Sequence, residues 1–176
     1  NVSYPKSGNS MGSWCNRVKI KMHDNDIWFS CPIIRESGEQ LIKDVKINYD
    51  RINLEKIYFT FKCAYGKNKN FKDIMKIVED IFHEEHIFIA DFNIAFIKKI
   101  CGFLEIKNIF HRQSELMKSS FASSEMLVNL CRQVGATHYL SGQGAKGYMQ
   151  DKRFHEEGIQ VIYQDYNFCS SLGATW

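Results

Sequence analysis

The sequence predicts an α/β protein, on three observations. Apolar residues alternate loosely in the first third. They fall at helical spacing in the middle. From Lys107 onward short apolar runs are separated by helical segments. Strands joined through helices imply parallel pairing and right-handed crossovers. The expected architecture is a β-hairpin region, a helical middle and a C-terminal three-stranded parallel βαβαβ (Rossmann-like) unit. At 176 residues the chain is most simply a single domain over 1–176.

Residues 1–13 are small and polar and read as a loop. Trp14–Met22 and Ile27–Ile34 read as strands about the turn His23-Asp24-Asn25-Asp26, because Asp and Asn bond their own backbone. A third strand is expected over Leu41–Tyr49. Leu54–Phe61, Phe71–Phe82 and His86–Leu104 then show helical periodicity, clearest in Phe71, Ile74, Met75, Val78, Ile81 and Phe82. Lys107–Phe110 is expected as a strand. A helix follows with Ser123 as N-cap, Glu125 in its first turn and Gly135 as its C′ residue. Strand 137–140, a glycine turn, a helix from Lys146 to His155, a stop at Gly158 and strand Ile159–Tyr163 complete the chain.

Bulk composition excludes several functions. The 23 basic and 20 acidic residues leave a net charge of +3, too balanced for a nucleic-acid binder. The longest apolar run, 86–97, contains Asp91 and Asn93 and is too short to span a bilayer. Asn1-Val2-Ser3-Tyr4-Pro5 has neither the charged n-region nor the apolar h-region of a signal peptide, so none is expected. Six cysteines, at 15, 31, 63, 101, 131 and 169, are widely spaced and without a zinc pattern. Buried reduced thiols in a cytoplasmic protein are the expectation. The sequence names no cofactor and no metal, and a homo-oligomer is compatible with it. His83 and His86 with Glu84 and Glu85 look metal-like at i, i+3, but they lack the spacing of a metalloprotease helix, and a polar helix junction is the favoured reading.

The candidate site is the stretch 137–148. Three of the eleven glycines fall within 142–147, beside Ser141, Lys146 and Tyr148. In open parallel sheets ligands bind beyond the carboxyl ends of the strands, which places Ser141–Lys146 at the functional edge. Free backbone N–H groups of Gly142 and Gly144, with the Lys146 ammonium, suit a phosphate or carboxylate. The spacing is neither a Walker A loop nor a dinucleotide fingerprint. A tight turn whose glycines serve geometry alone is the other reading. His138 is a candidate general base near Ser141, or a hydrogen-bonded structural histidine. Asn16 and Arg17 alternate with Val18 and Ile20, and Arg17 is a fit donor for an anion or part of a solvated strand face. Asp165 and Tyr166 follow the last strand and either meet a substrate or cap a loop.

The segment Gly135-Ala136-Thr137-His138-Tyr139-Leu140-Ser141-Gly142-Gln143-Gly144-Ala145-Lys146-Gly147-Tyr148, followed by Phe154, Gly158-Ile159 and Tyr163, resembles the C-terminal motif of the WbqC-like family. Tyr4-Pro5-Lys6, Trp14-Cys15-Asn16-Arg17-Val18-Lys19-Ile20 and Trp28–Pro32 are similar to that family's N-terminal half. Gln143 replaces a proline of the family pattern. The family's opening strand, with its Gln-Pro-x-Tyr-x-Pro-like motif, has no counterpart before Asn1, so the chain is expected to lack the N-terminal segment. The resemblance implies a bacterial cytoplasmic protein of O-antigen or capsule biosynthesis. The expected function is a transferase acting on a nucleotide-activated sugar or similar phosphorylated substrate, without a nucleic-acid partner. His138 and Ser141 would be catalytic. Arg17, Asn16, Gly142, Gly144, Lys146 and Tyr148 would bind substrate. A non-catalytic ligand-binding or assembly protein of the same pathway is the alternative, and acyl transfer onto an amino sugar an outside one.

Overall fold

A computed structural model describes residues 15–22, 25–36, 40–117 and 123–165. The chain divides into two compact units, Asn1–Ile109 and Phe110–Trp176. Both strands and helices are present, so the mixed α/β class holds.

In the first unit, β1 (Arg17–Met22) and β2 (Asn25–Ser30) form an antiparallel hairpin, from Arg17↔Ser30 to Met22↔Asn25. Asn25 and Asp26, expected in the turn, belong to the ladder. Pro32 lacks a donor, and the strand pairing of β2 stops before it. β3 (Ile33–Ile34) then pairs with β4 (Lys46–Ile47). The strand expected over 41–49 is thus mostly absent. Ile42–Asp44 and Tyr49–Arg51 are short 3₁₀ turns flanking β4. The Asp44 and Val45 N–H groups bond the Leu41 and Ile42 carbonyls, and those of Arg51 and Ile52 bond Asn48 and Tyr49, so these donors close turns instead of a ladder.

The helical middle follows its periodicity. α1 (Leu54–Tyr65) is capped by Asn53, whose side-chain oxygen accepts the Lys56 N–H at 2.8 Å. α2 (Phe71–His83) buries Met75, Val78, Ile81 and Phe82. α3 (Ile89–Phe103) buries Ile89 and Phe92, and the Phe82 and Phe92 rings lie 5.0 Å apart. Val45, Ile81 and Ile89 have no exposed surface and mark the centre of this core. Between α2 and α3, Glu84 accepts from Lys99 Nζ and pairs with His86 Nε2, both at 2.8 Å. The lysine and histidine together hold the Glu84 carboxyl below its usual range. Cys15 and Cys31 are buried, and burial pushes the Cys31 thiol up to about 12. Cys63 is exposed, against the expectation of burial.

The expected strand at 107–110 does not form. The Ile106 N–H instead bonds the Cys101 carbonyl at 2.8 Å, closing α3 through a left-handed Glu105, and Ile109 is 86% exposed.

The second unit contains α4 (Gln113–Leu116), α5 (Ser123–Gln133), β5 (His138–Gly142), α6 (Asp151–Glu156) and β6 (Gln160–Gln164). β5 and β6 pair in parallel from His138↔Gln160 to Gly142↔Gln164. The predicted three-stranded unit is therefore two-stranded among the described residues. Gly135 (φ 67°) and Gly158 (φ 72°) take the left-handed position after α5 and α6, where the following N–H groups of Ala136 and Ile159 bond back to Cys131 and Phe154. The helix expected from Lys146 is shorter. A 3₁₀ turn occupies Gln143–Ala145, and the Tyr148 and Met149 N–H groups both return to the Ala145 carbonyl. Gln150 is non-helical (φ −95°, ψ 75°), and its N–H bonds Ser124 Oγ, so α6 starts at Asp151.

Candidate functional site

Strand alternation decides which side chains of β5 face the core. Tyr139 and Ser141 point inward, and His138, Leu140 and Gly142 point outward. Register sets Val161 beside Tyr139 and Tyr163 beside Ser141. Phe154 of α6 stacks on Tyr139, with ring centroids 5.2 Å apart. This packing gives the turn a rigid floor.

Ser141 is only 4% exposed, and its hydroxyl makes a long 3.4 Å contact to the Gly142 carbonyl. His138 opens β5, three residues before Ser141, which separates them by about 10 Å along the strand. Its Nδ1 lies 2.9 Å from Thr137 Oγ1. The strand does not bring this imidazole to the serine.

Gly142, Gly144, Lys146 and Tyr148 come together beyond the carboxyl end of β5 and are exposed. At Gly142, Gly144 and Gly147 a Cβ would meet no atom of the described residues within 4 Å, and none of the three has a left-handed φ. Neither crowding nor backbone conformation within the chain calls for glycine there. Gln143, Gly144 and Ala145 open a 3₁₀ turn, and first-turn N–H groups have no acceptor inside their own helix. The Lys146 ammonium lies 5.8 Å from the centroid of the Tyr163 ring.

Two side-chain pairs frame the turn. Gln143 Nε2 donates to Asp165 Oδ1 at 3.3 Å, so Asp165 holds the turn from the end of β6. Tyr166 lies outside the described residues. The Tyr163 hydroxyl donates to Asp151 Oδ1 at 2.6 Å and ties β6 to the start of α6. That bond, with the negative carboxylate nearby, raises the Tyr163 phenol from 10.0 to about 12. The folded state thus favours the protonated phenol. Its contribution is complete below pH 10.0 and fades as pH rises towards about 12. Tyr163→Phe is expected to remove that part of the alkaline stability loss, read as a flatter pH dependence of thermal unfolding between those limits. An unchanged alkaline limb would show that the phenol does not titrate with folding.

Asn16 and Arg17 belong to the first unit. Asn16 is buried; its amide donates to the Cys31 carbonyl at 3.0 Å, and the Cys31 N–H returns to the Asn16 carbonyl at 2.7 Å. The side chain thus anchors the base of the hairpin. Arg17 stacks on Trp28, with its guanidinium carbon 3.7 Å from the ring centroid. Trp28, Asp151 and Gln143 were not candidates from sequence. The Lys19↔Trp28 register of the hairpin is the signal that could have found Trp28.

These features define a mixed α/β protein with an exposed, glycine-rich, cationic turn at the carboxyl edge of a parallel strand pair. The chain belongs to the WbqC-like protein family, whose model matches residues 2–171. It is similar to the "Uncharacterized protein Rv1507c" of Mycobacterium tuberculosis (strain ATCC 25618 / H37Rv), at 26% identity over 166 residues, covering 93% of this chain and 71% of that protein. No solved structure matches it. Among the described residues no helix is long and apolar enough to cross a membrane.

Proposed function

We propose that this WbqC-like protein is a cytoplasmic transferase of cell-surface polysaccharide (O-antigen or capsule) biosynthesis, acting on a nucleotide-activated sugar or a similar phosphorylated substrate. The observation that carries the reading is the set of glycines at 142, 144 and 147, which packing among the described residues does not require. A bare backbone with open space above it suits close approach by a ligand. N–H groups of the turn and the Lys146 ammonium supply donors for a phosphoryl group. Tyr148, 71% exposed, offers a ring beside them. In the first unit Arg17 is a separate anion ligand, while Asn16 acts by holding the hairpin. Ser141 is better suited to shaping the turn than to attacking a substrate, because its hydroxyl is buried.

The distance along β5 between His138 and Ser141 favours a second reading, a ligand-binding protein of the same pathway without a catalytic serine–histidine pair. Thermal shift with nucleotide sugars tests the binding that both readings share. Lys146→Ala is expected to weaken ligand-induced stabilisation by about 10- to 100-fold in affinity, the worth of a charged hydrogen bond at about 1.5–3 kcal/mol, with circular dichroism unchanged. Undiminished stabilisation in Lys146→Ala would sink the site. Sugar transfer by the wild-type chain, followed by mass spectrometry, separates the enzyme from the binder.

A further inference from the structure

The hairpin has two unlike faces. Ile20 is buried, and Phe29 meets Phe61 of α1 edge-on at 5.0 Å, so α1 covers that side. Alternation puts Arg17, Lys19 and Lys21 on the other face of β1, and the register sets Ser30, Trp28 and Asp26 across from them. This face carries three cations and one carboxylate. The carboxylate, Asp26, lies 3.8 Å from Lys19 Nζ, and both side chains are about half exposed.

Two of the cations, Arg17 and Lys19, converge on one ring. Trp28 is 54% exposed. Arg17 lies 3.7 Å from its centroid, and Lys19 Nζ lies 5.4 Å from it. Stacking on indole fixes the guanidinium plane without using its N–H donors, which project along the edge of the fork. Among the described residues Arg17 Nε is buried without a hydrogen-bond partner. A buried donor left unanswered is costly, and native structures keep few of them. Planar forks of this kind hold phosphate by two parallel hydrogen bonds, and a strongly hydrated ammonium beside it adds a point charge.

We propose that Arg17, Lys19 and Trp28 form a recognition site for a diphosphate group, with Trp28 as the platform that presents the Arg17 edge and Lys19 as the second cation. The proposal rests on the reading of Arg17 as an anion ligand. It adds the ligand's chemical class and two residues. The anion binds the terminal N–H groups of the guanidinium fork. Pre-fixing the guanidinium removes part of the ordering cost of binding.

The test uses the whole chain and inorganic pyrophosphate, with nitrogen–proton NMR of the arginine Nε–H and tryptophan indole groups. Saturable shifts of the Arg17 and Trp28 resonances are expected, absent with sodium chloride at the same ionic strength. Arg17→Lys keeps the charge but loses the fork, and is expected to weaken binding at least tenfold. Trp28→Leu is expected to weaken it several-fold while Arg17 remains. Lys146→Ala is expected to leave the Arg17 response intact. Equal shifts with chloride would reduce the effect to screening and overturn the site, as would wild-type affinity in Arg17→Lys. The wild-type Arg17 resonance decides between these outcomes even if a variant fails to fold. Loss of all pyrophosphate binding in Lys146→Ala, with none in Arg17→Lys, would overturn this proposal and leave the turn at 142–148 as the anion site.

Discussion

Phe154→Ala is expected to cost the second unit about 3–5 kcal/mol. Phe154 has no exposed surface and packs among Val128, Cys131 and Ile159, with Tyr139 stacked on its ring. This core is small, so little neighbouring side chain is available to collapse into the space left by the ring, and the cost belongs near the upper part of the range. The loss reaches the candidate site through Tyr139, two residues before Ser141 on the same inward face of β5. It also reaches β6, because the Ile159 N–H bonds the Phe154 carbonyl at 2.8 Å across the left-handed Gly158. Amide hydrogen exchange over β5 and β6 is the measurement, and a fall in protection matching the expected loss is the result. Phe154→Leu keeps most of the volume and is expected to cost less than about 1.5 kcal/mol. Equal protection in wild type and Phe154→Ala would mean that the strand pair does not depend on this core.

The parts of the fold that were legible in sequence are those set by local pattern. The apolar stripe of Met75, Val78, Ile81 and Phe82 gave α2, and Gly135 and Gly158 marked where two helices end. The short strand expected over 137–140 and the glycines after it located the turn, because strand pattern and backbone freedom are both local properties. What failed depended on competition or on distance. Apolar residues in 41–49 suggested a strand, but backbone bonds from Asp44 and Val45 to Leu41 and Ile42 close a turn there instead. The run at 107–110 had strand-like composition, yet no partner strand pairs with it among the described residues. The helix after the turn started five residues late, because Ser124, distant in sequence, takes the Gln150 N–H. Within the site, Lys146 and the glycines could be read from composition. The Asp151–Tyr163 and Gln143–Asp165 pairs could not, since each joins segments separated by an unknown register. His138 shows the opposite lesson. Its separation from Ser141 was implicit in the strand assignment, because three residues of strand span about 10 Å.

Ile89→Ala is expected to destabilise the first unit by about 2–5 kcal/mol, and Ile89→Val by about 0.5–1.5. Ile89 is fully buried at the start of α3, where its N–H bonds the Val45 carbonyl at 2.9 Å. The neighbouring Phe88 bridges to Lys46, and the Ile47 N–H bonds the Ile87 carbonyl. The side chain therefore sits where a helix start, β4 and the central core meet, and a cavity there loosens all three. The consequence extends to the hairpin. Asn93, one turn further along α3, donates its amide to the Cys15 carbonyl at 2.8 Å, and Cys15 leads directly into Asn16 and Arg17. A shift of α3 into the Ile89 cavity moves that anchor. Denaturant unfolding measures the stability loss, and the Arg17 Nε–H resonance reports the hairpin. The expected result is a graded response: nearly unchanged in Ile89→Val, displaced in Ile89→Ala before global unfolding begins. An undisplaced resonance despite the stability loss would separate the hairpin from this core and place its support elsewhere in the first unit.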